Sequence, residues 1–189
     1  YGEATALLAG DALIVLAFET VALGAAQGAF RAGPLVRIVS RAAGAPFGLA
    51  AGQAWELEPN ASSEQCRSAK TAALFVAATM SGALAGGGDA DRWRTLGQKL
   101  GEAYQVADDL LDACAIDGEA DKPVGRDADL GRPSAVRELG VDGAASRLEE
   151  LIAEAVASIP PVDGADSLAD LVRLQAVRLA PKGIAQSAA

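Results

Sequence analysis

Between Leu96 and Asp112 the sequence LGQKLGEAYQVADDLLD sets two rows of opposite character on one predicted helix. At about 100° per residue, Leu96, Leu100, Ala103, Tyr104, Ala107 and Leu111 share one side, the spacing of a core-facing stripe. Gln105, Asp108, Asp109 and Asp112 fall on the opposite side, at i, i+3, i+4 and i+7. Like charges at i,i+4 weaken a helix by a few tenths of a kcal/mol, so Asp108 and Asp112 call for a countercharge or for water. Spacing alone leaves two readings open, a solvated face and a metal-binding row.

Upstream, Gly2 to Gly24 is apolar nearly all round, with Glu3, Asp11 and Glu19 at intervals of eight. Such a helix is expected to be buried on most sides, in the middle of a bundle or at a subunit interface, with Asp11 and Glu19 capped or paired locally. Helical stretches follow at Leu35 to Ala43 and, after Gly44-Ala45-Pro46, at Phe47 to Glu58. Pro59 to Ser63 is a predicted loop with Ser62 or Ser63 as N-cap for a helix from Glu64 to Leu84. Lys70-Thr71 lies in its second turn, and 3.6-residue spacing puts Lys70 on the face of Ala73, Leu74 and Ala77. That lysine either extends to solvent along its own stem or faces something anionic.

Gly86-Gly87-Gly88 closes that helix, and Asp89 or Asp91 opens the next, which ends near Cys114. Asp117 to Pro133, DGEADKPVGRDADLGRP, is a predicted long loop holding Lys122, Arg126 and Arg132 among five carboxylates. Long loops in compact domains are often functional. Amphipathic helices are expected at Ala135 to Leu139, Gly143 to Ile159 and Ser167 to Leu179, broken by Gly140 and Pro160-Pro161, before a frayed tail from Pro181 to Ala189.

Composition narrows the class. With 189 residues, 51% hydrophobic and only 4% aromatic, the chain suits one all-α domain over residues 1–189 rather than a β-sandwich. A net charge of −9 argues against nucleic acid as a partner and suits a site that collects divalent cations. Cys66 and Cys114 stand far apart, which indicates neither a disulfide framework nor a zinc site and fits a reducing cytoplasm. Histidine is absent, so Ser-His and Cys-His nucleophiles are excluded and any metal must be held by carboxylate oxygen, which favours hard ions such as Mg²⁺. No transmembrane segment is expected, since the apolar run Ala12 to Phe18 is bounded by Asp11 and Glu19 and is too short to span a bilayer. The chain opens at Tyr1 directly into helical pattern and reads as lacking its N-terminal part.

Four blocks, in order and at sensible distances, resemble the trans-isoprenyl diphosphate synthases, the polyprenyl synthetase family. They are GEATALLAGDAL at Gly2 to Leu13, KTAALF at Lys70 to Phe75, GEAYQVADDLLD at Gly101 to Asp112, and KPVGRDADLGRPS at Lys122 to Ser134. The third is similar to the family's second aspartate-rich motif, DDxxD behind an aromatic-Gln pair, and the fourth to its KxxGxD segment. The resemblance implies an isoprenoid-synthase-type helical bundle around a central cavity, of which this chain is the C-terminal part. It also implies a homodimer that joins isopentenyl diphosphate to an allylic diphosphate. In that chemistry the allylic C–O bond ionises, the isopentenyl double bond attacks the cation, and the proton lost goes to the released diphosphate.

On this likeness Asp108 would hold Mg²⁺ directly, with Asp109 and Asp112 acting through water, and Lys70, Lys122 and Arg132 would contact diphosphate oxygens. Thr71 and Gln105 would turn oxygen dipoles toward the allylic cation. Arg132 stands where many members have Lys. The pairing of KPVG with DADLGRPSAV is most similar to bacterial short-chain members, which points to a C15 or C20 product with geranylgeranyl diphosphate favoured. The family's first aspartate-rich motif is not in the sequence, so this polypeptide alone is expected to be inactive. Two alternatives accompany this reading. A terpene cyclase would need an NDxxSxxxE-type motif that Gly101 to Asp112 does not supply. A non-catalytic partner subunit of an active synthase would tend to have lost aspartates that are present here.

Overall fold

The structure, a computed structural model, describes residues 2–26, 32–55, 57–58, 68–114 and 134–179, and among them every regular element is helical. In order these are α1 (Glu3–Ala26), α2 (Ala32–Ala43), α3 (Leu49–Trp55), a π-helical turn (Ser68–Ala72) running into α4 (Ala73–Ala85), a 3₁₀ turn (Ala90–Trp93), α5 (Arg94–Cys114), α6 (Ala135–Ala157) and α7 (Ala165–Leu179). The N-cap expected at Ser62 or Ser63, the loop Asp117 to Pro133 and the tail from Pro181 lie outside the described residues.

The helix α5 is the axis of the packing. On one side Ala103, Ala107 and Leu110 meet Ala144, Leu148 and Leu151 of α6. Toward its N-terminus Leu96 meets Ala155 of α6 and Val172 of α7. Leu96, Leu110 and Leu151 are fully buried, each contributing about 1.5–3 kcal/mol relative to exposure. Outside this seam Lys99 of α5 pairs with Glu154 of α6 at 2.8 Å, and Arg147 reaches Glu150 at 3.0 Å and Glu154 at 3.3 Å.

A second face of α5 is built from missing side chains. A Cβ on Gly97 would stand 2.5 Å from Val76 Cα, and one on Gly101 would stand 2.5 Å from Ala72 Cα. The backbones of α5, the π-helical turn and α4 therefore touch directly. Tyr104 and Leu111, expected in the core stripe, are 39% and 43% exposed. Because α5 is gripped on two faces, these side chains project into the angle between them, where the Tyr104 ring lies 5.4 Å from that of Phe75. The buried row is Leu96, Ala103, Ala107 and Leu110 instead.

Two other expectations shift and one holds. Phe47 sits 63% exposed in a turn rather than in a helix, and α3 starts only at Leu49, because Gly48 passes so close to α2 that a Cβ there would lie 2.4 Å from the Arg41 carbonyl. The expected break within residues 135–157 is present at Gly140, with φ 74° and ψ 171°, and divides α6 into two helical parts. Finally α1, which packs on α2, buries none of its residues; Leu7, Leu8, Leu13 and Val15 are each about two-thirds exposed. The helix also continues through Asp11 and Glu19. At 24 residues, with a mean hydropathy of 2.0 over an 18-residue window, it is long and apolar enough, by length and composition, to cross a membrane.

Candidate functional site

The site forms where the π-helical turn crosses α5. A π-helical turn closes i→i+5 rather than i→i+4 and is frequent at functional sites. Here it carries Lys70 and Thr71. Lys70 is half-buried, and of the residues whose face 3.6-residue spacing assigns it Ala77 is buried and Leu74 is 44% exposed. The turn seats against Gly101 because that residue lacks a side chain.

Thr71 Oγ1 donates to Gln105 Oε1 at 3.2 Å. Gln105 Nε2 donates to Asp109 Oδ1 at 3.0 Å, and the Ala135 N–H donates to Asp109 Oδ2 at 2.7 Å. Ala135 is the first residue of α6, whose N-cap Ser134 accepts from the Arg137 N–H at 3.2 Å. One chain of hydrogen bonds thus joins the π-helical turn, α5 and the start of α6. Asp109 is 6% exposed, the one charged or polar side chain among the buried described residues. Asp108 and Asp112, one turn apart, are half-buried.

Gly97, Gly101, Gln105, Asp108 and Asp112 follow at i, i+4, i+8, i+11 and i+15, a single line on the helix. The face that lets the π-helical turn approach is therefore continuous with the acidic row. Sequence reasoning had the acidic half of this line and missed its glycine half, whose i,i+4 spacing was the available signal. It also grouped Asp109 with Asp112 as acting on the metal through water, whereas burial separates the two.

Among the described residues no three acidic or cysteine side chains cluster as a metal cage. That is compatible with Mg²⁺, which keeps several waters and is bound through one or two carboxylates together with substrate phosphates. Asp108 and Asp112 supply hard oxygen donors of that kind. Lys122, Arg126 and Arg132 lie outside the described residues. An open groove of about 830 Å³ between α2, α3, α4 and the start of α5 is lined by Arg41, Phe47, Trp55, Met80 and Arg94 among others, and none of the site residues above lines it.

Residues 1–163 match the polyprenyl synthetase family model, so α1 is part of the matched domain. The chain is 46% identical to a geranylgeranyl diphosphate synthase of Cereibacter sphaeroides, over 98% of this chain and 64% of that protein. It is 42% identical to one of Rhodobacter capsulatus, over 95% of this chain and 62% of the relative. The chain thus spans somewhat under two-thirds of the length of these curated relatives. In fold it is similar to a geranylgeranyl pyrophosphate synthetase from Pyrococcus horikoshii, with a TM-score of 0.69 and 24% identity over 96% of this chain and 68% of the other. A geranyltranstransferase from Methanosarcina mazei gives 0.64 at 24% identity, covering 95% and 63%. The motif order, the helical architecture and a family match over most of its length agree: the chain belongs to the polyprenyl synthetase family.

Proposed function

We propose that the protein containing this chain is a prenyltransferase that condenses isopentenyl diphosphate with an allylic diphosphate, with geranylgeranyl diphosphate the favoured product. The observation that carries the reading is the Thr71–Gln105 hydrogen bond, which brings the Lys70 turn against the part of α5 that bears Asp108 and Asp112. A cationic side chain, two neutral oxygen dipoles and a carboxylate pair are what ionising an allylic diphosphate demands. The relatives' names support the product assignment.

In this reading Asp108 and Asp112 hold magnesium. The bound ion would neutralise charge developing on the leaving diphosphate. Lys70 contacts the diphosphate oxygens, and Lys122 and Arg132 are assigned the same task. Gln105 and Thr71 face the allylic carbon with oxygen lone pairs, favouring positive charge there. Neither an amide nor a threonine hydroxyl held in a hydrogen bond is nucleophilic enough to trap the cation. No protein base is required, since the released diphosphate takes the proton. The enzyme is further read as a cytoplasmic homodimer.

The test is incubation of the complete protein with Mg²⁺, isopentenyl diphosphate and each allylic diphosphate in turn, followed by identification of the chain length made. An elongated all-trans diphosphate, C20 from the longest primer accepted, is expected. No product with any primer would sink the assignment and favour the non-catalytic partner subunit.

A further inference from the structure

Asp109 belongs to the aspartate-rich segment but is placed unlike its neighbours. It is nearly fully buried, and each of its oxygens accepts from a protein N–H: Gln105 Nε2 at 3.0 Å and the Ala135 backbone at 2.7 Å. An ionised carboxylate has only acceptors to offer, while an amide has a donor end and an acceptor end. The partner Asp109 thus dictates which end of Gln105 turns toward it. With Nε2 committed to Asp109, Oε1 is left for Thr71, and the Thr71 hydroxyl must spend its proton on that oxygen. Each hydrogen bond in the row Thr71–Gln105–Asp109 therefore runs toward the carboxylate, which leaves the second lone pair of Gln105 Oε1 and the lone pairs of the Thr71 hydroxyl unspent within the row.

We propose that Asp109 is a positioning residue that fixes the amide of Gln105, and through it the hydroxyl of Thr71, so that both present oxygen to the reaction site. Its second oxygen, on the first residue of α6, ties the segment that returns from residues 115–133 to the same network. Asp109 therefore acts through Gln105, not as a ligand of magnesium. The inference rests on the prenyltransferase reading for the identity of what those oxygens face.

Asp109→Asn is the discriminating change. The new amide keeps an oxygen for the Ala135 N–H but turns an NH₂ toward Gln105, which must invert and present its own NH₂ to Thr71 and the site. In the complete protein kcat is expected to fall by roughly ten- to a hundredfold. KM for both diphosphates and the Mg²⁺ concentration at half-maximal rate should stay within about twofold. A raised Mg²⁺ requirement with recovery at excess Mg²⁺ would make Asp109 a metal ligand and overturn the proposal, as would an unchanged kcat.

A second measurement needs neither this variant's folding nor any substrate. In the wild-type protein, the side-chain amide protons of ¹⁵N-labelled Gln105, identified by their loss in Gln105→Glu, should exchange at least about tenfold more slowly than those of the exposed Gln98. Equal exchange rates would overturn the proposal. If no allylic diphosphate is elongated while Gln105 is protected, the functional reading fails and the positioning role stands.

Discussion

Threonine 71 shows how narrow the chemistry is at the scale of one residue. Its hydroxyl is half-buried and bonded to Gln105, so Thr71→Val keeps the shape and deletes the polar contact. Stability should fall by only about 0.5–1.5 kcal/mol, the usual net worth of such a bond. Under the proposed function turnover should fall by a larger factor, roughly tenfold or more, because the oxygen assigned to the cation would be gone. Thermal unfolding and steady-state kinetics on the same preparation check the split; equal losses in both would make Thr71 a packing residue. Asp109 makes the complementary point. Two neighbouring aspartates of identical chemistry are set apart by burial, which spacing does not encode: Asp108 shares the line of Gly97 and Gly101, and Asp109 lies one step round the helix, in reach of the α6 N-terminus.

At the scale of elements, the approach of the π-helical turn to α5 depends on Gly101. Replacing glycine by alanine inside a helix normally stabilises by roughly 0.5–1 kcal/mol. Here the added Cβ would lie 2.5 Å from Ala72 Cα, and that contact wins. Gly101→Ala should destabilise by roughly 1–3 kcal/mol and lower activity further by moving Thr71 off Gln105. Denaturant unfolding reads the first effect. Gly140→Ala should also cost about 1–3 kcal/mol, for a different reason: nothing crowds the position, but φ 74° with ψ 171° is open essentially to glycine alone. An unchanged unfolding midpoint in either variant would contradict these accounts.

The helices were largely legible in the sequence, since apolar spacing, the Gly86–Gly88 stop, the Gly140 break and the start of α6 behind Ser134 are all local signals. The π-helical turn was not, because nothing in SAKTA distinguishes an i→i+5 turn from an ordinary one. Nor were the exposures of Tyr104 and Leu111, which depend on α5 having two partners at once. The pairing of acidic row and Lys70 came from motif resemblance, and the Thr71–Gln105 contact holds the turn that carries Lys70 against α5.

Across the whole molecule two features stand out. The ion pairs linking α5 and α6 hold the Glu154 carboxyl below its ordinary value of 4.5, chiefly through the hydrogen bond from Lys99 and also through Arg147. A depressed carboxyl contributes stability above the unfolded value and loses it as pH falls through the folded one. The thermal midpoint should therefore drop as pH falls below about 4.5, and less so in Glu154→Gln. The difference should be small, because the side chain is 43% exposed and solvent screens the pair. The second feature is α1, apolar yet bare within the described residues, although the family match includes it. The burial expected of such a helix is not supplied by the elements described, so the expected position in the middle of this chain's own bundle is not what is found.

In the proposed function the acidic line of α5 is one wall of a magnesium-diphosphate site. A magnesium titration of prenyl transfer in the complete protein, wild type beside Asp108→Ala with thermal unfolding as the control, tests it most directly. Turnover in Asp108→Ala is expected to fall by about two orders of magnitude with little change in the unfolding midpoint. Wild-type turnover and an unaltered magnesium dependence in Asp108→Ala would contradict it.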